Sequence, residues 1–144
     1  MRFVNKKVNV LLVDDDSFLV MLYKKNAESY LMDLNTALSG EEALALIRAG
    51  LEPHAILLDI NMPGMSGVDV LRTIRGERLV PSTDIIIVSN AFEEEYAHDF
   101  KELGIEDFIP KTHLSPSRIL DRVVSRYVTP SHVEGSPINL VRVF

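Results

Sequence analysis

Val8-Asn9-Val10-Leu11-Leu12-Val13, followed at once by Asp14-Asp15-Asp16-Ser17, is the stretch on which the fold turns. The run is apolar at every position but Asn9, so it lacks the alternation of a strand with one wet face. It is also short for a helix. A strand covered on both faces, as in a parallel sheet between helices, fits it. Three carboxylates and a serine then end the strand abruptly. Acids at that point suit the start of a helix, whose amino end carries a partial positive charge.

Moving outward, the same alternation repeats. Residues 33–38 read as a second, weaker strand; 54–58, after Pro53, as a third; 84–88, with three consecutive isoleucines, as a fourth; and 107–109 as a short fifth. Helical patterns separate or follow them. The first spans 17–29. The second opens on Ser39-Gly40-Glu41-Glu42, where Ser39 and Glu42 can satisfy each other's end groups, and stops at Gly50. The third spans 66–75, with Val70, Leu71 and Ile74 on one face and Gly76 at its end. The fourth spans 93–103, with Phe92, Tyr96, Phe100 and Leu103 as one stripe and Gly104 after it. The fifth opens on Ser115-Pro116, a cap followed by proline in the first turn, and buries Ile119, Leu120, Val123, Val124 and Tyr127.

Five βα units over about 120 residues imply an α/β, doubly wound (βα)5 domain. Right-handed crossovers give the flavodoxin-like order 2-1-3-4-5 for its five-stranded parallel sheet. Functional groups in such sheets sit beyond the carboxyl ends of the strands, where the order reverses. The residues there are Asp14, Asp15 and Asp16; Asp59; Ser89; and Pro110 and Lys111.

Composition narrows the chemistry. The chain has 144 residues, a formal net charge of −6 and no cysteine, which excludes disulfides and thiolate-bound zinc or iron–sulfur clusters. An acidic chain lacks the basic footprint of general nucleic-acid binding. No stretch approaches the roughly 20 apolar residues of a membrane span, and the start lacks a signal peptide's long apolar region. A cytoplasmic protein is expected. The four histidines, His54, His98, His113 and His132, show no metal-ligand spacing and read as surface or hydrogen-bonded side chains.

Strands one and three are neighbours in this order, so Asp14, Asp15 and Asp59 should converge. Two carboxylates about 5 Å apart repel by roughly 3 kcal/mol at an effective dielectric near 20. A hard divalent cation relieves this, and Mg2+, held by a few carboxylates with water and phosphate, fits best. Lys111 adds a fixed positive charge and Ser89 a hydroxyl. An aspartate nucleophile, a cation, a lysine and a hydroxyl are the parts of a phosphoryl-transfer site. Asp16 is left as an acid at a helix start.

With these residues in place, the chain resembles a response-regulator receiver domain of two-component signalling. The resemblance rests on Val-Asp-Asp-Asp-Ser at 13–17, Leu-Asp-Ile-Asn-Met-Pro-Gly-Met-Ser-Gly at 58–67, Ile-Ile-Val-Ser at 86–89 and Phe-Ile-Pro-Lys at 108–111, and covers residues 8–128. It implies that Asp59 accepts a phosphoryl group from a sensor histidine kinase or phosphotransfer protein. It implies that Asp15 binds Mg2+ directly, that Asp14 mostly holds a metal-bound water, and that the Asn61 backbone carbonyl completes the protein's ligands. Lys111 would pair with phosphoryl oxygens, Ser89 would turn toward them, and Phe108 would swing inward behind it. The surface of helix four, strand five and helix five would change, controlling a downstream protein partner or a phosphorylation-dependent homodimer. The chain would catalyse only its own phosphorylation and dephosphorylation.

Two positions depart from the family pattern. Thr112 follows Lys111 where proline, after a cis bond, is usual. A cis bond to threonine would cost about 2.5–4 kcal/mol, so either the loop stores that strain or it takes another path. Asn90 follows Ser89 where Ala or Gly is usual, and its side chain is expected to tune the dephosphorylation rate by hindering or orienting water.

Two rival readings remain. In an aspartate-nucleophile phosphohydrolase of the haloacid-dehalogenase type, Asp14 is the nucleophile and Asp16 the acid, but Phe18 stands where Thr or Val is wanted and Asp59 goes unexplained. A receiver-like binding module without phosphorylation leaves the acid set unexplained. The domain is taken as 1–128. Residues 129–144 form a linker and short apolar tail, with breakers at Thr129-Pro130-Ser131 and Gly135-Ser136-Pro137, and the segment 138–144 is open to disorder, strand addition or continuation into a further segment.

Overall fold

In the computed structural model, residues 7–90, 93–105, 107–127, 131–133 and 136–138 are described. The order along the chain is β1 Val8–Val13, α1 Ser17–Ala27, β2 Met32–Ala37, α2 Gly40–Arg48, β3 Ala55–Leu58, α3 Gly67–Gly76, β4 Asp84–Ser89, α4 Glu93–Glu102, β5 Phe108–Pro110 and α5 Pro116–Val124. The sheet runs β2-β1-β3-β4-β5, parallel throughout, as the alternating pattern requires.

The unbroken apolar runs have a direct cause. Val8, Val10 and Leu12 of β1 face one core layer with Val20 and Tyr23 of α1 and Ile119, Leu120, Val123, Val124 and Tyr127 around α5. Leu11 and Val13 face the other, with Ala43, Leu44 and Ile47 of α2, Val70, Leu71 and Ile74 of α3, and Phe100 of α4. Each strand therefore needs apolar side chains on both pleats.

Helix ends follow local chemistry, with one revision. Asp16 caps α1, its carboxylate accepting from the Phe18 and Leu19 amides at 3.1 Å each. Ser39 caps α2 by accepting from the Glu42 amide at 3.1 Å, but Glu42 accepts from the Leu38 amide rather than from Ser39. The expected reciprocal cap is thus displaced by one residue. A complete capping box forms instead at α3, between Ser66 and Asp69. Gly104 ends the α4 segment at φ +73°, a conformation glycine adopts at little cost.

The elements differ from expectation only at their ends. α1 closes at Ala27 rather than Ser29, and β5 is shifted forward by one residue to Phe108–Pro110. Phe92 of the expected fourth-helix stripe lies outside the described residues. In the tail, β6 Ser131–Val133 and β7 Ser136–Ile138 pair antiparallel, so part of the expected linker is a hairpin. Pro137, which has no amide to donate, is tolerated because each strand of such a pair has an open edge. Among the described residues, no helix is long and apolar enough to cross a membrane.

Candidate functional site

The strand ladder delivers the site. The Asp14 amide donates to the Ala37 carbonyl at 3.1 Å and the Asp59 amide to the Val13 carbonyl at 3.0 Å, so both aspartates begin where their strands end. Ser89 closes β4, pairs in register with Pro110, and accepts the Lys111 amide on its carbonyl at 3.1 Å. Four strand ends therefore share one small region.

Asp59 is 4% exposed, and both of its carboxylate oxygens are engaged. Oδ1 accepts from the fully buried Ser89 hydroxyl at 2.8 Å and from the Asn61 amide at 3.3 Å. Oδ2 accepts from Lys111 Nζ at 3.1 Å. Lys111 Nζ also pairs with Asp14 Oδ2 at 2.7 Å. Asp14 is 2% exposed, and its Oδ1 accepts the Asp16 amide at 2.9 Å. Asp15 is exposed, yet one carboxylate oxygen from each of Asp14, Asp15 and Asp59 lies within 4.8 Å of the others.

The charges are not balanced by protein alone. Burial pushes the Asp14 carboxyl above its ordinary value, and the Asp59 charge adds to the rise. The bond from Lys111 and the Asp16 amide offset this only in part. Burial works against the Lys111 ammonium, but its bond to Asp14 and the charges of Asp59 and Asp14 prevail and hold it above its ordinary value. Three carboxylates facing one ammonium leave an excess negative charge, all presented by oxygen atoms. That donor set suits a hard divalent cation and fits Mg2+.

Asp14, Asp15, Asp59, Ser89 and Lys111 are therefore brought together as expected. Without a phosphoryl group, the Ser89 hydroxyl donates to the Asp59 carboxylate, the group that would carry it. No cis peptide occurs among the described residues, so Lys111–Thr112 is trans and the lysine reaches both aspartates by that path. Phe108 is half-buried, its ring centroid 5.9 Å from that of Phe100 on α4. Asn90 is exposed beside Ser89. The four histidines do not join the site: His54 accepts the Asn9 amide on Nδ1 at 2.9 Å, His98 and His113 are exposed, and the His132 side chain is outside the described residues.

One contributor, the last residue of the 58–67 motif, receives no role from the sequence. A Cβ on Gly67 would stand 2.2 Å from the Asp59 carbonyl oxygen, and the Gly67 amide donates to the Ile60 carbonyl at 2.9 Å. Only hydrogen fits there, so Gly67 fixes how closely α3 presses on the Asp59 loop. The sequence offers a faint signal, the Ser66-Gly67 pair opening a helix with Asp69 three residues past the cap.

Comparison with known proteins agrees with this geometry. The profile of the family described as response regulator receiver domain matches residues 10–124. A protein-glutamate methylesterase/protein-glutamine glutaminase of Halalkalibacterium halodurans is 32% identical over 142 residues, covering 93% of this chain and 40% of that protein. The alkaline phosphatase synthesis transcriptional regulatory protein PhoP of Bacillus subtilis is 34% identical over 121 residues, covering 83% of this chain and 48% of that protein. The chain thus spans less than half the length of these curated relatives. Among solved structures, a response regulator receiver protein from Pseudomonas putida superposes with a TM-score of 0.69 at 30% identity, covering 85% of this chain and 99% of that one. Sheet order, strand-end chemistry and the matched span agree: the chain belongs to the response-regulator receiver-domain family.

Proposed function

We propose that Asp59 is the phosphoacceptor of a signalling switch, taking its phosphoryl group from a phosphohistidine on a sensor histidine kinase or phosphotransfer protein. The observation that carries this reading is the engagement of both Asp59 oxygens, one by Ser89 and one by Lys111, beside the carboxylates of Asp14 and Asp15. An Asp59 oxygen attacks phosphorus, a P–O bond forms, and the P–N bond to the donor imidazole breaks. Asp15, Asp14, Asp59 and the Asn61 carbonyl would hold Mg2+, which would supply positive charge against the phosphoryl oxygens. Lys111 passes from the Asp59 carboxylate to a phosphoryl oxygen, and Ser89 follows it. Moving these two contacts draws on β4 and β5, and through Phe108 reaches α4. The altered α4, β5 and α5 surface then selects a downstream protein or a second copy of the chain.

Asn90 tunes how water reaches the acyl phosphate. On this reading the chain turns over no other substrate and works in the cytoplasm, where kinases draw on ATP. In the phosphohydrolase alternative Asp14 is the nucleophile, but the Ser89 hydroxyl bonds to Asp59 instead.

The test is incubation with Mg2+ and acetyl phosphate, or with a phosphorylated kinase, followed by mass spectrometry. An acid-stable, hydroxylamine-labile phosphoryl group on Asp59, absent from Asp59→Asn, is expected. Turnover that survives Asp59→Asn and is lost in Asp14→Asn would establish the phosphohydrolase. No label with either donor, and no Mg2+ affinity, would leave a binding module.

A further inference from the structure

The α4 helix is anchored differently from its neighbours. α3 buries Val70, Leu71 and Ile74, and α5 buries Ile119, Leu120, Val123 and Val124. Among the described residues of α4, Phe100 alone is buried, in ring contact with Tyr96 and Phe108. A cavity of about 250 Å³ is lined by Ala97, Phe100 and Lys101 of α4, by Ile105, and by Phe108 of β5. Apolar packing therefore holds this helix mainly through Phe100, with the partly buried Tyr96 against the same core.

Polar contacts to α3 supply the rest. Arg72 pairs through Nη2 with Asp99, and its Nη1 lies 3.9 Å from Glu102 Oε1. One turn on, Arg75 Nε donates to the Leu103 carbonyl at 3.0 Å, just past the carboxyl end of α4. α4 carries five acids, Glu93, Glu94, Glu95, Asp99 and Glu102, against Lys101. Arg72 is thus both a bridge to the α3 face and a relief of like-charge crowding along α4.

We infer that Arg72, bridging Asp99 and Glu102, is an electrostatic latch that holds α4 in its unphosphorylated place and opposes activation at Asp59. The inference rests on the function proposed above. Its physical basis is linkage. Contacts made in only one of two states bias the equilibrium toward that state, and an equilibrium bias felt at α4 is felt equally by a ligand at Asp59. The route between them is short. Phe100 meets Phe108, three residues before Lys111, which bonds to Asp59. Arg72 makes none of the contacts to Asp59 described above and acts only through α4, as a positioning residue.

The experiment uses the whole chain and beryllofluoride, a phosphoryl mimic that binds a carboxylate oxygen in the presence of Mg2+. Because this is equilibrium binding, reciprocity applies to it directly. Loss of one or two half-exposed ion pairs predicts that Arg72→Ala binds about two- to tenfold more tightly than wild type. Asp99→Asn should move in the same direction, and hydrogen exchange should quicken across 93–102 in both variants. Raising ionic strength from about 0.05 M to about 0.5 M shortens the screening length severalfold, so the ratio between wild type and Arg72→Ala should shrink toward one. A loss of packing without charge would leave that ratio unchanged with salt. Equal affinity of wild type and Arg72→Ala at low salt overturns the latch, while beryllofluoride binding by wild type leaves the switch itself standing. A wild-type chain that binds no beryllofluoride overturns the switch, and the latch with it.

Discussion

Asp14 is the residue where stability and function pull apart. Its carboxyl is raised chiefly by burial, which means the folded protein disfavours the charge that the site needs. An acid whose pKa is raised on folding costs stability once pH climbs above the unfolded value, so at neutral pH Asp14 is a liability without a cation. Asp14→Asn should therefore melt higher than wild type in Mg2+-free buffer, by roughly 3–5 °C for each 1 kcal/mol recovered. Added Mg2+ should raise the wild-type melting temperature and leave that of the variant nearly unchanged, which calorimetry with and without EDTA will show. The aspartates, Ser89 and Lys111 were legible in the sequence because each follows an apolar run directly. The role of Gly67 was not, because what forbids a side chain there is the backbone of Asp59, eight residues earlier.

At the scale of elements, local rules predict caps well where the partners are close in sequence. Ser39, Asp16 and Ser115 all cap the helices they precede. The exchange of Glu42 to the Leu38 amide depends on where β2 ends, and short-range pattern does not specify that. At α3, Ser66→Ala removes the hydroxyl that accepts the Asp69 amide at 3.2 Å. A loss of about 0.5–2 kcal/mol in urea unfolding is expected, typical for a serine cap. Because Gly67 follows that cap and touches the Asp59 loop, slower labelling of Asp59 should accompany the loss. Recovery of both with Ser66→Asp, which restores a capping oxygen, will separate the cap from a general packing defect. Helix ends and the one-residue shift of β5 were less legible than the elements themselves, because hydrogen bonds to neighbouring strands decide them.

Across the whole molecule, two apolar layers sandwich the sheet, and a phenol is buried in one of them. Tyr23 is pushed well above its ordinary value, mainly by burial and further by the charge of Asp14. When the protein unfolds, this phenol ionises near a pKa of about 10, whereas in the folded state it keeps its proton. The folded state therefore has a proton-linked advantage below that value, and loses it as pH rises through the window above about 10. Tyr23→Phe has no such proton to lose. Its unfolding free energy should decline less steeply with pH between about 10 and 12, by up to about 1.4 kcal/mol per pH unit, measured by urea titration at several alkaline pH values.

Sheet order and the layered core could be read from sequence because hydrophobic period and crossover handedness are properties of the chain itself. The same is true of which acids end the strands. How those acids share Lys111, that Ser89 already rests on Asp59, and that a trans Lys111–Thr112 bond suffices were settled only in three dimensions. So were the Arg72–Asp99 ion pair and the Arg75 bond to the Leu103 carbonyl, because polar contacts between residues 27 or 28 positions apart leave no periodic trace in the sequence. Pattern fixes which surface a residue faces, whereas distances of a few ångströms between charges emerge only when all the strands and helices have packed.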